Sequence, residues 1–120
     1  MANPFTDQTI FMNACDQTVN EFNADQYLLY LDLITEEYHE LREALDANDR
    51  VEQLDALIDI LVVTIGAINS MGAKGQEAWN EVMRTNFAKI DPETGKVRKR
   101  EDGKVLKPAD WQPPQLEQFL

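Results

Sequence analysis

Five carboxylates stand out by their spacing. Glu36, Glu37 and Glu40 fall at i, i+1 and i+4, and Asp55 and Asp59 lie four residues apart. At about 100° per residue, helical residues four apart share a face, so each group sets two carboxylates side by side. Asp59 is the most informative. It is embedded in Leu57-Ile58-Asp59-Ile60-Leu61-Val62-Val63, where an unpaired ionised carboxylate is costly and where aspartate is also a poor helix former. The surrounding segments offer only Arg42 and Arg50 as cations, both near a polar connection. A metal ion is the better partner, and ligands that are all oxygen suit a hard cation such as Mg²⁺ or Mn²⁺. Four or five carboxylates exceed what one such ion needs, so two or more ions per site are expected. A Glu-Glu-x-x-Glu string alone is common on solvated helix faces; the aspartate among aliphatics makes metal binding the better reading.

The elements that must position these groups are helical. A first helix is expected from Asp7 or Thr9 to Glu21, with Ile10, Phe11, Ala14, Val19 and Phe22 as buried positions. A second begins near Asp25 as N-cap and runs to about Ala47, with Tyr27, Leu31, Ile34, Tyr38, Leu41 and Leu45 spaced 4,3,4,3,4. A third, from Asp49 or Arg50 to Ser70, is the most apolar and is expected at the centre; Gly66 within it suggests a close helix or subunit approach. A fourth spans Lys74 or Gln76 to Lys89 and ends at Asp91-Pro92. The linker Asn48-Asp49 is short, so the second and third helices should pack antiparallel about position 48.5. That register sets Glu37 and Glu40 at nearly the level of Asp55 and Asp59, offset by a few ångströms at about 1.5 Å per residue.

Beyond the fourth helix, Pro92, Gly95, Gly103, Pro108, Pro113 and Pro114 interrupt helical periodicity, and Asp102-Gly103 between Lys96-Val97-Arg98 and Lys104-Val105-Leu106 signals a turn or hairpin. The expected organisation is one domain over residues 1–120, with a helical body at about 7–90 and an irregular tail at 91–120. Charge divides similarly. Residues 1–83 hold 3 basic and 16 acidic side chains, whereas residues 84–120 hold 8 basic and 6 acidic. A net charge of −11 argues against broad phosphate neutralisation on nucleic acid and against anionic membranes. The single Cys15 and the lone His39 exclude an internal disulfide and a Cys/His zinc site. Neither a basic-then-apolar N-terminus nor a long apolar run is present, and the expectation is a soluble, cytoplasmic protein. Cys15, Trp79 and Trp111 read most simply as packing residues, and His39 as a surface residue.

Glu36-Glu37-Tyr38-His39-Glu40, followed by Asp55-Ala56-Leu57-Ile58-Asp59-Ile60-Leu61-Val62-Val63-Thr64-Ile65-Gly66, resembles the two acidic motifs of the MazG-like all-α nucleoside triphosphate pyrophosphohydrolases. This superfamily also contains phosphoribosyl-ATP pyrophosphohydrolase. The best fit is a branch frequent in bacteria and their phages, with an Asn-x-x-Lys element and a Gly-Lys-Val-x-Lys-Pro tail. The chain supplies Asn86-Phe87-Ala88-Lys89 and Asp102-Gly103-Lys104-Val105-Leu106-Lys107-Pro108. The likeness covers roughly Leu28 to Pro114. One departure is that the wider superfamily has Glu-x-x-Asp in its second motif, whereas Ala56 stands three before Asp59 and Asp55 resembles the branch's substitute.

The resemblance implies an all-α four-helix MazG-like bundle with a basic tail, assembled as a homodimer or a dimer of dimers. It implies Glu37, Glu40 and Asp59 as metal ligands, Asp55 as a fourth, and Glu36 as a ligand or a base orienting water. Asn86, Lys89, Lys104 and Lys107 would meet the nucleotide. The implied reaction is (d)NTP plus water to (d)NMP plus pyrophosphate, in nucleotide-pool control or, in a phage-type role within a host cytoplasm, from dGTP to dGMP. Charge requires the metal in any case, because a triphosphate with about four negative charges approaches an acidic cluster only through divalent ions. Two other classes compete: a non-catalytic helical regulator with a structural Mg²⁺ site, and an acidic mimic of nucleic acid. The mimic poorly explains Asp59 among aliphatics.

Overall fold

The computed structural model describes residues 3–120. Four helices, α1 (Pro4–Ala14), α2 (Ala24–Asp46), α3 (Arg50–Ser70) and α4 (Gly75–Phe87), precede two short strands, β1 (Ile90–Asp91) and β2 (Lys96–Val97), and a 3₁₀ turn at Glu117–Phe119. The described residues up to Gly75, with Leu120, form one compact unit, and Gln76–Phe119 form a second.

In the first unit, α1 begins earlier and ends earlier than its periodicity suggests. Asn3 is the cap, its side chain accepting the Thr6 N–H at 2.9 Å, and Pro4 occupies the first turn, where its missing N–H and fixed φ do no harm. Asp16, at φ 57°, turns the chain away. Of the positions expected to be buried, only Val19 packs on the core; Ile10, Phe11 and Phe22 are more than 60% exposed, and Met12 is the fully buried residue instead. α2 is capped by Asn23, which accepts the Gln26 N–H, rather than by Asp25. Asp25 sits in the first turn, where its charge favours the helix dipole.

The connection between α2 and α3 is tight. The Asp49 N–H bonds to the Ala44 carbonyl and the Asn48 N–H to the Leu45 carbonyl, a Schellman ending that needs the left-handed backbone Asn48 adopts at φ 53°. Asp49 then caps α3 by accepting the Glu52 N–H at 3.1 Å. α2 and α3 pack on each other, and α1 packs on α3. The pairings Tyr30 with Gly66 and Gln53 with Ala44 centre on positions 48 and 48.5, the register that the short linker predicts.

Met12, Tyr30 and Ala67 form the core, joined by Val19, Tyr27, Leu33, Ile34 and Val63. Polar side chains close its edge. Gln26 donates to the Thr18 carbonyl at 2.7 Å and to Ser70 Oγ at 2.8 Å, while Asn69 donates to Thr9 Oγ1 at 3.2 Å. α3 is buried mainly in its C-terminal half, with Ala56 the buried position nearer its start. Ile65, Gly66, Ala67, Asn69 and Ser70 are buried, whereas Val51 and Leu54 are 77% and 62% exposed and Leu57 and Ile58 each 51%. α1 is too short to cover the whole of α3. The α2 stripe is likewise only partly covered, with Tyr38 and Leu45 about half exposed.

The second unit holds α4 and a tail with more order than expected. β1 and β2 pair antiparallel, Ile90 with Val97 and Asp91 with Lys96, around a turn closed by Gly95 at φ 71°. Arg98–Arg100 then returns against Lys104–Leu106 across Asp102-Gly103, with the Arg100 N–H bonded to the Lys104 carbonyl at 2.8 Å. The anticipated Asp102-Gly103 turn is therefore present, but Lys96-Val97 pairs backwards with Ile90-Asp91 rather than forwards.

Gly66 decides how closely the first two long helices approach. A Cβ there would stand well inside van der Waals contact of the Tyr30 ring, and Tyr30 cannot retreat because it is 5% exposed and donates its hydroxyl proton to Gln17 Oε1. Gly66→Ala is expected to destabilise the protein by about 1–3 kcal/mol or more, despite alanine's better helix propensity. Urea denaturation of the two proteins measures the difference.

Candidate functional site

The α2–α3 register brings carboxylates from the two helices together. Glu37 and Glu40, one turn apart on α2, and Asp59 on α3 each place a carboxylate oxygen within 4.8 Å of the others. Glu37 and Asp59 are half-buried and Glu40 is exposed. Glu37 Oε2 is buried with no hydrogen-bond partner among the described residues. A buried carboxylate oxygen without a protein donor calls for another partner, since most buried polar atoms find one within the protein, and beside two further carboxylates a cation fits that place.

The electrostatics agree. The Glu37 carboxyl is pushed up to about 7, first by burial, then by its contact with Glu40 and by the charges of Glu40, Asp59 and Asp55. Asp59 is also raised, first by burial and then by Asp55 and Glu40. Like charges so placed are poor neighbours unless protons or a cation intervene. Asp55 lies outside the group of three, on the exposed side, yet it is close enough to raise both Asp59 and Glu37. Glu36 is exposed and does not join the group. The ligand set that the residues present thus fits a hard divalent ion held by Glu37, Glu40 and Asp59, with Asp55 at its edge.

The other site residues expected from the sequence belong to the second unit. Asn86 Oδ1 accepts a hydrogen bond from Lys89 Nζ at 3.0 Å. Lys89 and Lys107 both lie over the Trp111 ring, with Nζ 5.2 and 4.6 Å from its centre. Lys104 is exposed in the second hairpin, and its backbone N–H donates to Asp102 Oδ1. The gathering of two lysines on Trp111 was not legible in the sequence, because Lys89 lies 22 residues before Trp111 and Trp111 carries no periodic signal. Cys15 and Trp79, read as packing residues, are exposed, whereas His39 is exposed as expected.

A helical hairpin that draws acids from two helices around an unpartnered carboxylate oxygen defines an all-α protein with an acidic centre suited to a divalent cation. The family model for phosphoribosyl-ATP pyrophosphohydrolase matches residues 9–86, and the chain belongs to that family, within the MazG-like superfamily. Members hydrolyse pyrophosphate bonds and are typically metal-dependent. The matched stretch runs from α1 to the last turn of α4 and contains all five carboxylates and Asn86, but not Lys89, Lys104 or Lys107. No individual curated protein matches the chain significantly. No helix among the described residues is long and apolar enough to cross a membrane.

The raised Glu37 carboxyl makes stability depend on pH. Folded Glu37 holds its proton up to about pH 7, whereas the unfolded glutamate releases it near 4.5. The stabilisation is therefore complete below about pH 4.5 and is lost as pH rises through about 7, as for any acid with a raised folded-state value. In EDTA, the melting temperature should fall from pH 5 to pH 8 more steeply for the wild type than for Glu37→Gln. Adding Mg²⁺ should raise it most at pH 8, where the carboxylates are ionised. Thermal melts at three pH values with and without Mg²⁺ test this.

Proposed function

We propose that this protein is a divalent-cation-dependent nucleoside triphosphate pyrophosphohydrolase, converting a (d)NTP and water to a (d)NMP and pyrophosphate. The observation that carries this reading is the convergence of Glu37, Glu40 and Asp59, with Glu37 Oε2 buried and without a hydrogen-bond partner among the described residues. Family membership supports the same class of chemistry. Mg²⁺ or Mn²⁺, one ion or more, supplies the charge neutralisation that a polyanion needs and the Lewis acidity that makes water a nucleophile near neutral pH.

The chain's own residues have distinct parts in this proposal. Glu37, Glu40 and Asp59 hold the cation, and Asp55 extends the set. Glu36 is exposed and one turn from Glu40 on α2, and it accepts the proton of the attacking water. The new bond forms between the water oxygen and the α-phosphorus, and the bond from that phosphorus to the bridging oxygen breaks, releasing pyrophosphate. Asn86, Lys89, Lys104 and Lys107 contact the triphosphate and steady the charge that leaves with pyrophosphate. The biological role is control of a nucleotide pool in the cytoplasm, with dGTP to dGMP in a phage-infected host as one form of it.

Glu37→Gln and Asp59→Asn should each lower kcat/KM by about 100-fold or more while leaving the protein folded. Pyrophosphate release should be measured over dNTPs, NTPs and phosphoribosyl-ATP, with Mg²⁺, Mn²⁺ or EDTA. Turnover of none of them, with Mg²⁺ still raising the melting temperature, would favour the alternative of a helical regulator with a structural ion.

A homodimer or homotetramer is part of the same proposal. Val51, Leu54, Leu57 and Ile58 expose a continuous stretch of aliphatic side chain on α3, the kind of surface that a second copy covers. Sedimentation should give a mass of at least twice 13.7 kDa, and Leu54→Glu should shift it towards the monomer.

A further inference from the structure

We infer that Trp111 is a positioning residue: tied to the end of α4, its indole gathers the ammonium groups of Lys89 and Lys107 into a two-pronged receptor for polyphosphate. The inference rests on the proposal that these lysines meet the triphosphate, and it adds what holds them there.

The tie is specific. Trp111 Nε1 donates to the Thr85 carbonyl at 2.7 Å. That carbonyl lies in the last turn of α4, where the helix leaves acceptors unfilled. The Lys89 N–H, which would bond to it if the helix continued, goes to the Asn86 carbonyl instead, at 3.1 Å. The indole therefore fills a vacant helical acceptor, and Thr85 is only 2% exposed, so water competes poorly for the same bond. The bond draws a tail residue back across 26 positions onto the helix end.

The ring so fixed receives cations from both sides of that loop. Lys89 follows α4 by two residues, and Lys107 precedes Trp111 by four. Both ammonium nitrogens lie within the range at which a cation is attracted to an aromatic face. Their distances to one ring centre keep them less than about 10 Å apart, whichever faces they occupy. Two like charges drawn that close repel each other, and neither forms a salt bridge among the described residues. Each ammonium has three donors. Lys89 commits one to Asn86, and the ring consumes none of the rest. The chemistry that satisfies two ammonium groups with spare donors on one ring is a multiply charged oxyanion, and a polyphosphate chain is long enough to reach both.

Calorimetric titration of the full chain with inorganic tripolyphosphate, at constant Mg²⁺, tests this on the wild type, Lys89→Gln, Lys107→Gln, Trp111→Leu, Trp111→Phe and the double variant Trp111→Leu/Lys107→Gln. Circular dichroism confirms that each is folded. The expected result is a loss of about ten-fold in affinity for each lysine variant, for Trp111→Leu and for Trp111→Phe, which keeps a ring but has no N–H to tie it to the Thr85 carbonyl. The double variant should be scarcely weaker than its parents, since Lys107 acts through the ring. Wild-type affinity in Trp111→Leu beside weakened lysine variants would overturn the inference, as would additive losses in the double variant. Wild-type affinity in folded Trp111→Phe would also overturn it, and that arm decides the matter even if Trp111→Leu does not fold. If neither lysine variant changes the affinity, the lysine contacts fail and this inference with them; pyrophosphate release by the unaltered acidic centre then shows separately whether the hydrolase reading stands.

Discussion

Carboxylates do not gather of their own accord, and the site exists because helix packing forces them together. The pairing of α2 with α3 is set by a short Schellman-type connection at one end and by the contact of Tyr30 with Gly66 nearer the other. Between these two constraints the helices cannot slide. Glu37 and Glu40 must then face Asp59, whatever their mutual repulsion. The absence of a side chain at Gly66 lets the backbones approach, and the apolar contacts of the hairpin supply the attraction that overcomes the like charges.

That arrangement stores a specific kind of instability. Burial and neighbouring acids hold Glu37 and Asp59 above the usual carboxylate range, and one oxygen of Glu37 has no donor among the described residues. A protein shaped only for stability would replace Asp59 with another aliphatic residue, as its neighbours Ile58 and Ile60 suggest. Keeping an acid there is physically reasonable when a cation completes the site, because the same field that opposes three carboxylates attracts a divalent ion. Phosphoryl chemistry makes use of the same field, since a polyanionic substrate needs cations between itself and the protein.

The second unit is held differently. It has few fully buried side chains, Thr85 being one, and relies on hydrogen bonds that use up loose ends of α4. The Trp111 indole fills an open carbonyl, and Glu81 binds Arg84 through both carboxylate oxygens while also accepting the Gln115 N–H. The Arg84 contact, then the Gln115 N–H, holds the Glu81 carboxyl down at about 2. Specific polar ties of this kind position a few side chains without requiring a large core.

Much of this was legible in the residues themselves. Helical periodicity, the acids at i and i+4, the aspartate within an aliphatic run and the short polar linker were enough to place α2, α3 and their register, because each is a local property of chain geometry. The bounds of α1 were missed at both ends: the reading began at Asp7 or Thr9 although Asn3-Pro4 is a cap signal, and weak periodicity carried it to Glu21, past the turn at Asp16. Other features were decided only by tertiary structure. Which apolar side chains are covered depends on how far α1 reaches along α3, so Met12 is buried while Val51 and Leu54 are not. Which carboxylates converge depends on side-chain direction, so Glu40 joins Glu37 and Asp59 while Glu36 and Asp55 stay outside. The meeting of Lys89, Lys107 and Trp111 depends on one hydrogen bond to a helix end. Local sequence determines where helices form and which faces carry charge; the third dimension decides which of those charges share a site, because that requires residues distant in the chain to be held at one place.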